Sequence, residues 1–118
     1  MSTTVAASAA LTEFAKLTGN TATAIYTASQ GATRILSITA CENSGATPSL
    51  TLEAYDVSGT TSYYLRRVVA LSVGTQVVYS TPFTLPHNWA IRATSNNASG
   101  LIDVFVDYED PSASGSPR

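Results

Sequence analysis

The stretch that decides the fold is 101–108, with the sequence LIDVFVDY. Successive side chains of a β-strand point to opposite faces, so the even-numbered positions from 102 to 108 share a face, and all of them are apolar or aromatic. The odd-numbered positions combine Asp103 and Asp107 with Leu101 and Phe105. A strand with one wholly apolar face needs a second layer to cover that face. The stretch therefore predicts the closing strand of a β-sandwich.

Similar short runs, separated by turn-forming residues, extend back along the chain. We predict about eight strands, at 21–27, 33–41, 49–55, 62–71, 75–81, 83–85, 89–94 and 101–108. Regular short strands at this spacing indicate an all-β protein, an antiparallel β-sandwich. Either a jelly roll or an immunoglobulin-like Greek key fits, although immunoglobulin domains carry a Cys–Trp–Cys pattern and this chain has a single cysteine. The 62–71 run is long enough for two short strands, or for one bent strand with a β-bulge near Arg66 and Arg67.

The apolar positions of these runs define the predicted core. It comprises Ile25, Leu36, Ile38, Leu50, Leu52, Leu65, Val69, Val77, Phe83, Leu85, Trp89, Ile91, Ile102, Val104 and Val106. Burying each large aliphatic side chain contributes roughly 1.5–3 kcal/mol, which is sufficient for a domain of this length.

The two ends differ in composition from the central segment. We predict a flexible N-terminal arm at 1–10, a sandwich domain at 11–108 and a flexible Ser/Gly/Pro-rich tail at 109–118. Either end could instead become ordered on a neighbouring subunit. Residues 5–16 are compatible with a short helix, because Ala, Leu, Glu and Lys favour one, and also with an extended segment that ends at Leu17.

Charge and composition narrow the classes of partner. Only 12% of residues are charged and the net charge is -2, which argues against binding to nucleic acid. The adjacent Arg66 and Arg67 would face opposite sides of a strand and form no basic patch. An uncharged surface rich in Thr and Ser suits a protein that packs against other proteins. No apolar run approaches the roughly 20 residues of a membrane span, and the start lacks a basic signal-peptide region, so we expect synthesis in a cytoplasm and no membrane partner.

The sequence contains no recognisable catalytic motif. A single histidine, His87, and a single cysteine, Cys41, do not make a zinc site, and no flanking residues indicate an activated nucleophile. Asp103 and Asp107 share a strand face, but they would lie about 13 Å apart, too far for an acid–base pair. We therefore predict no catalytic residue, no cofactor and no metal, and we do not expect an enzyme.

Aromatic residues around one predicted hairpin are the best candidates for binding. Three tyrosines flank the 56–61 turn, and two arginines follow it; the candidate protein-contact residues are Tyr55, Tyr63, Tyr64, Arg66 and Arg67. Exposed tyrosines anchor protein interfaces and also stack on sugars, and here protein contact is favoured. Alternatively, Tyr63 or Tyr64 packs in the core while the other covers the sheet.

Several segments together resemble small all-β accessory proteins encoded among the virion genes of tailed bacteriophages. These segments are 17–28 (LTGNTATAIYTA), 31–33 (GAT), 38–43 (ITACEN), 50–52 (LTL), 82–85 (PFTL), 91–93 (IRA) and 104–108 (VFVDY). The resemblance spans roughly 17–108 and concerns turn and core positions. It implies a non-enzymatic part of a phage particle, located in the virion. It also implies a homo-oligomer, often a trimer over local three-fold positions of the capsid, with the major capsid protein or another virion protein as partner.

The function predicted from the sequence is thus a capsid decoration (cement) protein that stabilises the head by bridging capsid subunits. A tail, head-tail or fibre accessory protein is the alternative within the same class. A carbohydrate-binding or adhesive β-sandwich module is a further alternative, which depends on the tyrosines alone.

Overall fold

A computed structural model describes residues 10–17, 21–43, 48–72, 74–96 and 102–109. In these ranges the chain forms nine β-strands and no helix. The strands are β1 (Ala10–Leu17), β2 (Thr23–Thr27), β3 (Thr33–Glu42), β4 (Ser49–Asp56), β5 (Thr61–Ala70), β6 (Gln76–Tyr79), β7 (Phe83–Leu85), β8 (Ala90–Ser95) and β9 (Ile102–Glu109). The predicted all-β class is confirmed.

Two antiparallel sheets pack face to face. Sheet A has the order β1-β9-β3-β6, with the short β7 also pairing with β3, and sheet B has the order β2-β8-β4-β5. From β1 to β4 the chain crosses from one sheet to the other at each connection, as it does again from β8 to β9. This alternation distinguishes a jelly roll from an immunoglobulin-like arrangement and selects the first of the two predicted topologies.

The closing strand is at the centre of sheet A. β9 pairs with β1 on one side and with β3 on the other. Ile102, Val104 and Val106 are fully buried and Tyr108 is nearly so, whereas the alternate positions face outward. The alternating pattern that predicted this strand is therefore confirmed, and β9 contributes more to the core than any other strand of sheet A.

The prediction that Leu36 of β3 belongs to the core is wrong. Leu36 is only half-buried, and its neighbour Ile35 occupies the core at 1% exposure. The cause is a β-bulge: Ile35 pairs with Tyr108 and Ser37 with Asp107, so Leu36 has no partner on β9. The extra residue reverses the alternation of faces on its N-terminal side.

Other predicted core residues lie at the margin of the core. Leu65, Val69, Val77, Phe83 and Trp89 are partly buried and pack against the buried cluster. The central part of the prediction holds, because Ile38, Leu50, Leu52, Leu85 and Ile91 are fully buried.

The first described segment is extended. β1 pairs with β9 along its whole length, so the helical alternative for residues 5–16 is wrong for the described part of that segment. The remainder of the predicted arm, 1–9, and the predicted tail from 110 onward lie outside the described residues.

Strand β5 contains the predicted bulge. Its pairing with β4 shifts between Leu50 and Leu52 and again between Leu52 and Glu53. Within the first irregularity, Val68 adopts a φ of 54° and donates its backbone N–H to Thr51 Oγ1 at 3.2 Å. A β-branched residue in this left-handed region is strained.

Candidate protein-contact surfaces

The five candidate contact residues do not form one patch. In the β4–β5 pairing, Tyr64 lies opposite Glu53, and Tyr63 lies opposite Ala54. Directly paired residues share a face of the sheet, and the alternation along β4 places Ala54 toward the core and Tyr55 outward. The structure therefore assigns Tyr55, Tyr64 and Arg67 to the outer face of sheet B, and Tyr63 and Arg66 to the side that faces sheet A.

Cations cover the two tyrosines of the outer face. The Arg92 guanidinium lies 3.6 Å from the centroid of the Tyr55 ring, and that of Arg67 lies 4.6 Å from the centroid of the Tyr64 ring. Arg92 also donates to Glu53 Oε2 from Nε and Nη2, at 3.0 Å and 2.9 Å. The Glu53 carboxylate is nearly buried, so this paired donation compensates for its desolvation. We call the set Tyr55, Tyr64, Arg67, Arg92 and Glu53 the tyrosine–arginine surface.

The other two candidate residues contact the rim between the sheets. Tyr63 stacks on Trp89 with ring centroids 5.2 Å apart and planes inclined by 9°. The Arg66 guanidinium lies 4.9 Å from the centroid of the Tyr79 ring, which belongs to sheet A. Tyr63 nevertheless remains about half exposed.

A second surface lies on the outer face of sheet A. Phe14 of β1 pairs with Phe105 of β9, Phe105 pairs with Thr39 of β3, and Thr39 pairs with Val78 of β6. The result is a straight row across four strands, which we call the phenylalanine row. Phe14, Phe105 and Val78 are 69%, 39% and 46% exposed, and the two phenyl centroids lie 6.0 Å apart.

One of the two polar clusters beside this row contains an ion pair. Lys16 Nζ lies 2.6 Å from Asp103 Oδ1, and the other oxygen of the same carboxylate accepts from the Asn43 amide. The carboxylate is therefore neutralised by a neighbour on its own sheet face.

The second cluster is neutral apart from its carboxylate. Asp107 accepts from the hydroxyls of Thr12 at 2.6 Å and of Ser37 at 3.1 Å. Both carboxylates beside the row thus have partners within the sheet. This arrangement lowers the desolvation penalty that a partner would incur by covering the row.

The phenylalanine row is not among the surfaces predicted from the sequence. Phe105 was recognised as a residue of the outer side of its strand, but Phe14 lay in a segment whose secondary structure was open. The sequence TEFAKL over 12–17 does not alternate between apolar and polar residues, so its periodicity does not indicate a strand. No local signal indicates that β1 pairs with β9, because Thr12 and Asp107 are 95 positions apart.

The residues considered for catalysis lie in ordinary environments. Cys41 is half-buried, and its thiol lies 3.8 Å from the backbone oxygen of Glu42. His87 Nε2 lies 3.3 Å from the Ser29 oxygen in an exposed turn. Among the described residues, no three His, Cys, Asp or Glu side chains come close enough to hold a metal ion. Within the same ranges, no helix has the length and apolarity needed to span a membrane.

Five chains of solved structures are similar to this chain. No protein-family model and no curated protein matches the chain. A chain of the cyanophage Pam1 capsid asymmetric unit has a TM-score of 0.45 at 23% identity, covering 87% of this chain and 84% of that one. The Yersinia pseudotuberculosis-derived mitogen has a TM-score of 0.44 at 16% identity, covering 95% of this chain and all of the other. Similarities with TM-scores below 0.5 carry no information on function.

Proposed function

We propose that this protein is a capsid decoration (cement) protein, a non-enzymatic component of a phage particle that stabilises the head by bridging capsid subunits. The resemblance of 17–108 to small virion proteins of tailed phages supports the class of protein. The low fraction of charged residues, 12%, supports a surface that is covered by neighbours.

The phenylalanine row is the observation that carries the proposal. It aligns three exposed apolar side chains and Thr39 across four strands, and the carboxylates beside it already have partners. With strands about 4.8 Å apart and eight residues rising about 3.4 Å each, the face measures about 500 Å². Complete coverage therefore buries about 1,000 Å² over both partners, close to the lower limit for a stable interface.

The tyrosine–arginine surface is a second proposed contact with the capsid. Tyr64 is half exposed, and tyrosine and arginine are enriched among the residues that dominate protein interfaces. Tyr63 and Arg66 extend this contact area at the rim of the sandwich. The arginines and Trp89 each occupy one face of a tyrosine ring, which favours protein contact over stacking on a sugar.

The test is binding of the full-length protein to purified capsids that lack it. We expect Phe105→Glu to weaken attachment at least tenfold, because covering the row would then desolvate an additional carboxylate. Val57→Glu is the matched control, since Val57 is exposed to a similar degree in the β4–β5 turn, away from the row. Circular dichroism establishes that both variants are folded.

Three outcomes would contradict the proposal. Equal attachment of Phe105→Glu and wild type would remove the phenylalanine row as the docking face. Density for the protein in the tail or at the head-tail junction of purified particles, by cryo-electron microscopy, would favour the accessory-protein alternative. Specific binding to a glycan array, abolished by Tyr64→Ala, would favour the carbohydrate-binding alternative.

A further inference from the structure

The four edges of the two sheets are not equally protected against pairing with another strand. β2 is five residues long, and its pairing is irregular at Ile25. β6 and β7 have four and three residues, and Pro82 lies between them. β5 has two irregularities and the strained Val68. Short strands, bulges and prolines of this kind prevent edge-to-edge association.

Strand β1 has none of these devices, and its two charged side chains already have partners in the same protomer: Lys16 pairs with Asp103, and Glu13 accepts a hydrogen bond from the Tyr108 hydroxyl. It extends over eight residues, contains neither glycine nor proline, and pairs with β9 without a register shift. In an edge strand every second residue directs its N–H and C=O away from the sheet, which leaves about eight backbone groups free along β1. Within the described ranges, no backbone hydrogen bond beyond the β9 pairing involves β1. This edge is therefore ready to accept another strand.

We propose that β1 pairs antiparallel with β1 of a second copy of this chain, about a two-fold axis at Phe14. A two-fold axis perpendicular to the sheet places the core faces of the two copies on the same side. Because directly paired residues share a face, even-numbered residues must then pair with even-numbered residues, and odd-numbered with odd-numbered. Two registers of this kind pair seven residues. One centres on Glu13 and the other centres on Phe14.

Charge selects between the two registers. Centring on Glu13 would place two carboxylates directly opposite each other, which is unfavourable. Centring on Phe14 opposes two phenyl rings and places Lys16 of each copy opposite Thr12 of the other. Phe14 is the most exposed large apolar side chain of the described residues, at 69%, and the pairing would cover it. The second copy is therefore a chemically matched occupant of this edge.

The dimer would have one continuous sheet. Its strands would follow the order β6-β3-β9-β1 and then the same order reversed in the second copy, and the two phenylalanine rows would join end to end. This inference does not rest on the proposed function, because it concerns the free protein in solution. It predicts a two-fold dimer, in contrast to the trimer that the phage resemblance implies.

Disulfide trapping tests the register. In a Cys41→Ser background, Phe14→Cys should give a disulfide-linked dimer on mild oxidation, since opposed Cα atoms lie about 4.5–5.5 Å apart, within disulfide range. Thr12→Cys is the matched control on the same strand and face. Its two copies would be about 13 Å apart along the strands and should remain unlinked. Linking of Glu13→Cys in preference to Phe14→Cys would overturn the proposed register.

Solution mass tests the pairing independently of disulfide chemistry. Sedimentation equilibrium of the wild type should give about twice the monomer mass of 12.3 kDa. Phe14→Glu and Phe14→Lys should each be monomeric because they oppose like charges, and an equimolar mixture should recover the dimer mass. A wild-type monomer, a trimer unaffected by either variant, or failure of the mixture to associate would refute β1 pairing. These measurements do not involve capsid attachment. A result that refutes β1 pairing would therefore not contradict the proposed decoration function.

Discussion

Replacement of the strained Val68 by asparagine should stabilise the protein. Val68 has a φ of 54° and is 64% exposed at the bulge of β5. A left-handed conformation costs an ordinary L-residue about 1–2 kcal/mol, whereas asparagine adopts it readily. The Val68 N–H that bonds to Thr51 is retained in the variant.

The magnitude follows from the exposure of the side chain. About one third of the valine is buried, so its replacement forfeits roughly 0.5–1 kcal/mol of apolar burial. The net effect of Val68→Asn is then an increase of about 0.5–1 kcal/mol in the free energy of unfolding. For a domain of this size the melting temperature should rise by about 2–5 °C.

Val78→Asn provides the matched comparison. Val78 is also exposed, but it belongs to the regular strand β6 and does not have a positive φ. Loss of β-propensity at this position should lower stability by about 1 kcal/mol. Thermal and urea unfolding of the three proteins, followed by circular dichroism at one protein concentration, measures both changes. Equal destabilisation by the two substitutions would refute the assignment of strain to Val68.

Three further substitutions test the packing, the buried ion pair and the hairpin. Val104→Ala removes a fully buried side chain from the central strand of sheet A and should cost about 2–3 kcal/mol in urea unfolding. Glu53→Ala should cost about 1.5–3 kcal/mol because Arg92 loses both hydrogen bonds, and a double-mutant cycle with Arg92→Ala should reveal coupling of similar size. Asp56→Ala should lower the melting temperature by a few degrees, about 1 kcal/mol, since Asp56 Oδ1 accepts from the Gly59 N–H within the turn; an unchanged melting temperature would contradict this role.

Much of the fold follows from the alternation of apolar and polar residues. The pattern in 101–108 identified β9 and its buried face, because a strand at the centre of a sheet must bury alternate residues. The same rule failed at Leu36, where a bulge shifts the faces by one residue. Unlike the bulge in β5, which the length of the 62–71 run indicated, this one leaves no mark in the sequence, since its extra residue is determined by the pairing of strands that are distant in the chain.

The candidate surfaces were less predictable for the same reason. The alternation along β5 correctly implied that adjacent residues such as Tyr63 and Tyr64 would diverge. It could not assign either tyrosine to a face, because two irregularities lie within the same strand. The phenylalanine row depends on contacts between four strands, and the alignment of Phe14 with Phe105 is visible only once sheet A is assembled.

The pairing of β1 with β9 affects how the protein folds during its synthesis on the ribosome. In sheet B the β4–β5 hairpin joins consecutive strands, whereas β2 and β4 each pair with β8, which is made later. The flank of sheet A must wait until the final strand emerges, and contacts of such long sequence separation slow folding into the range of milliseconds to seconds. During that interval the nascent chain carries an unaccompanied β1 with its phenyl group in water. We therefore expect the translation speed of the segment that precedes β9 to affect the yield of folded protein.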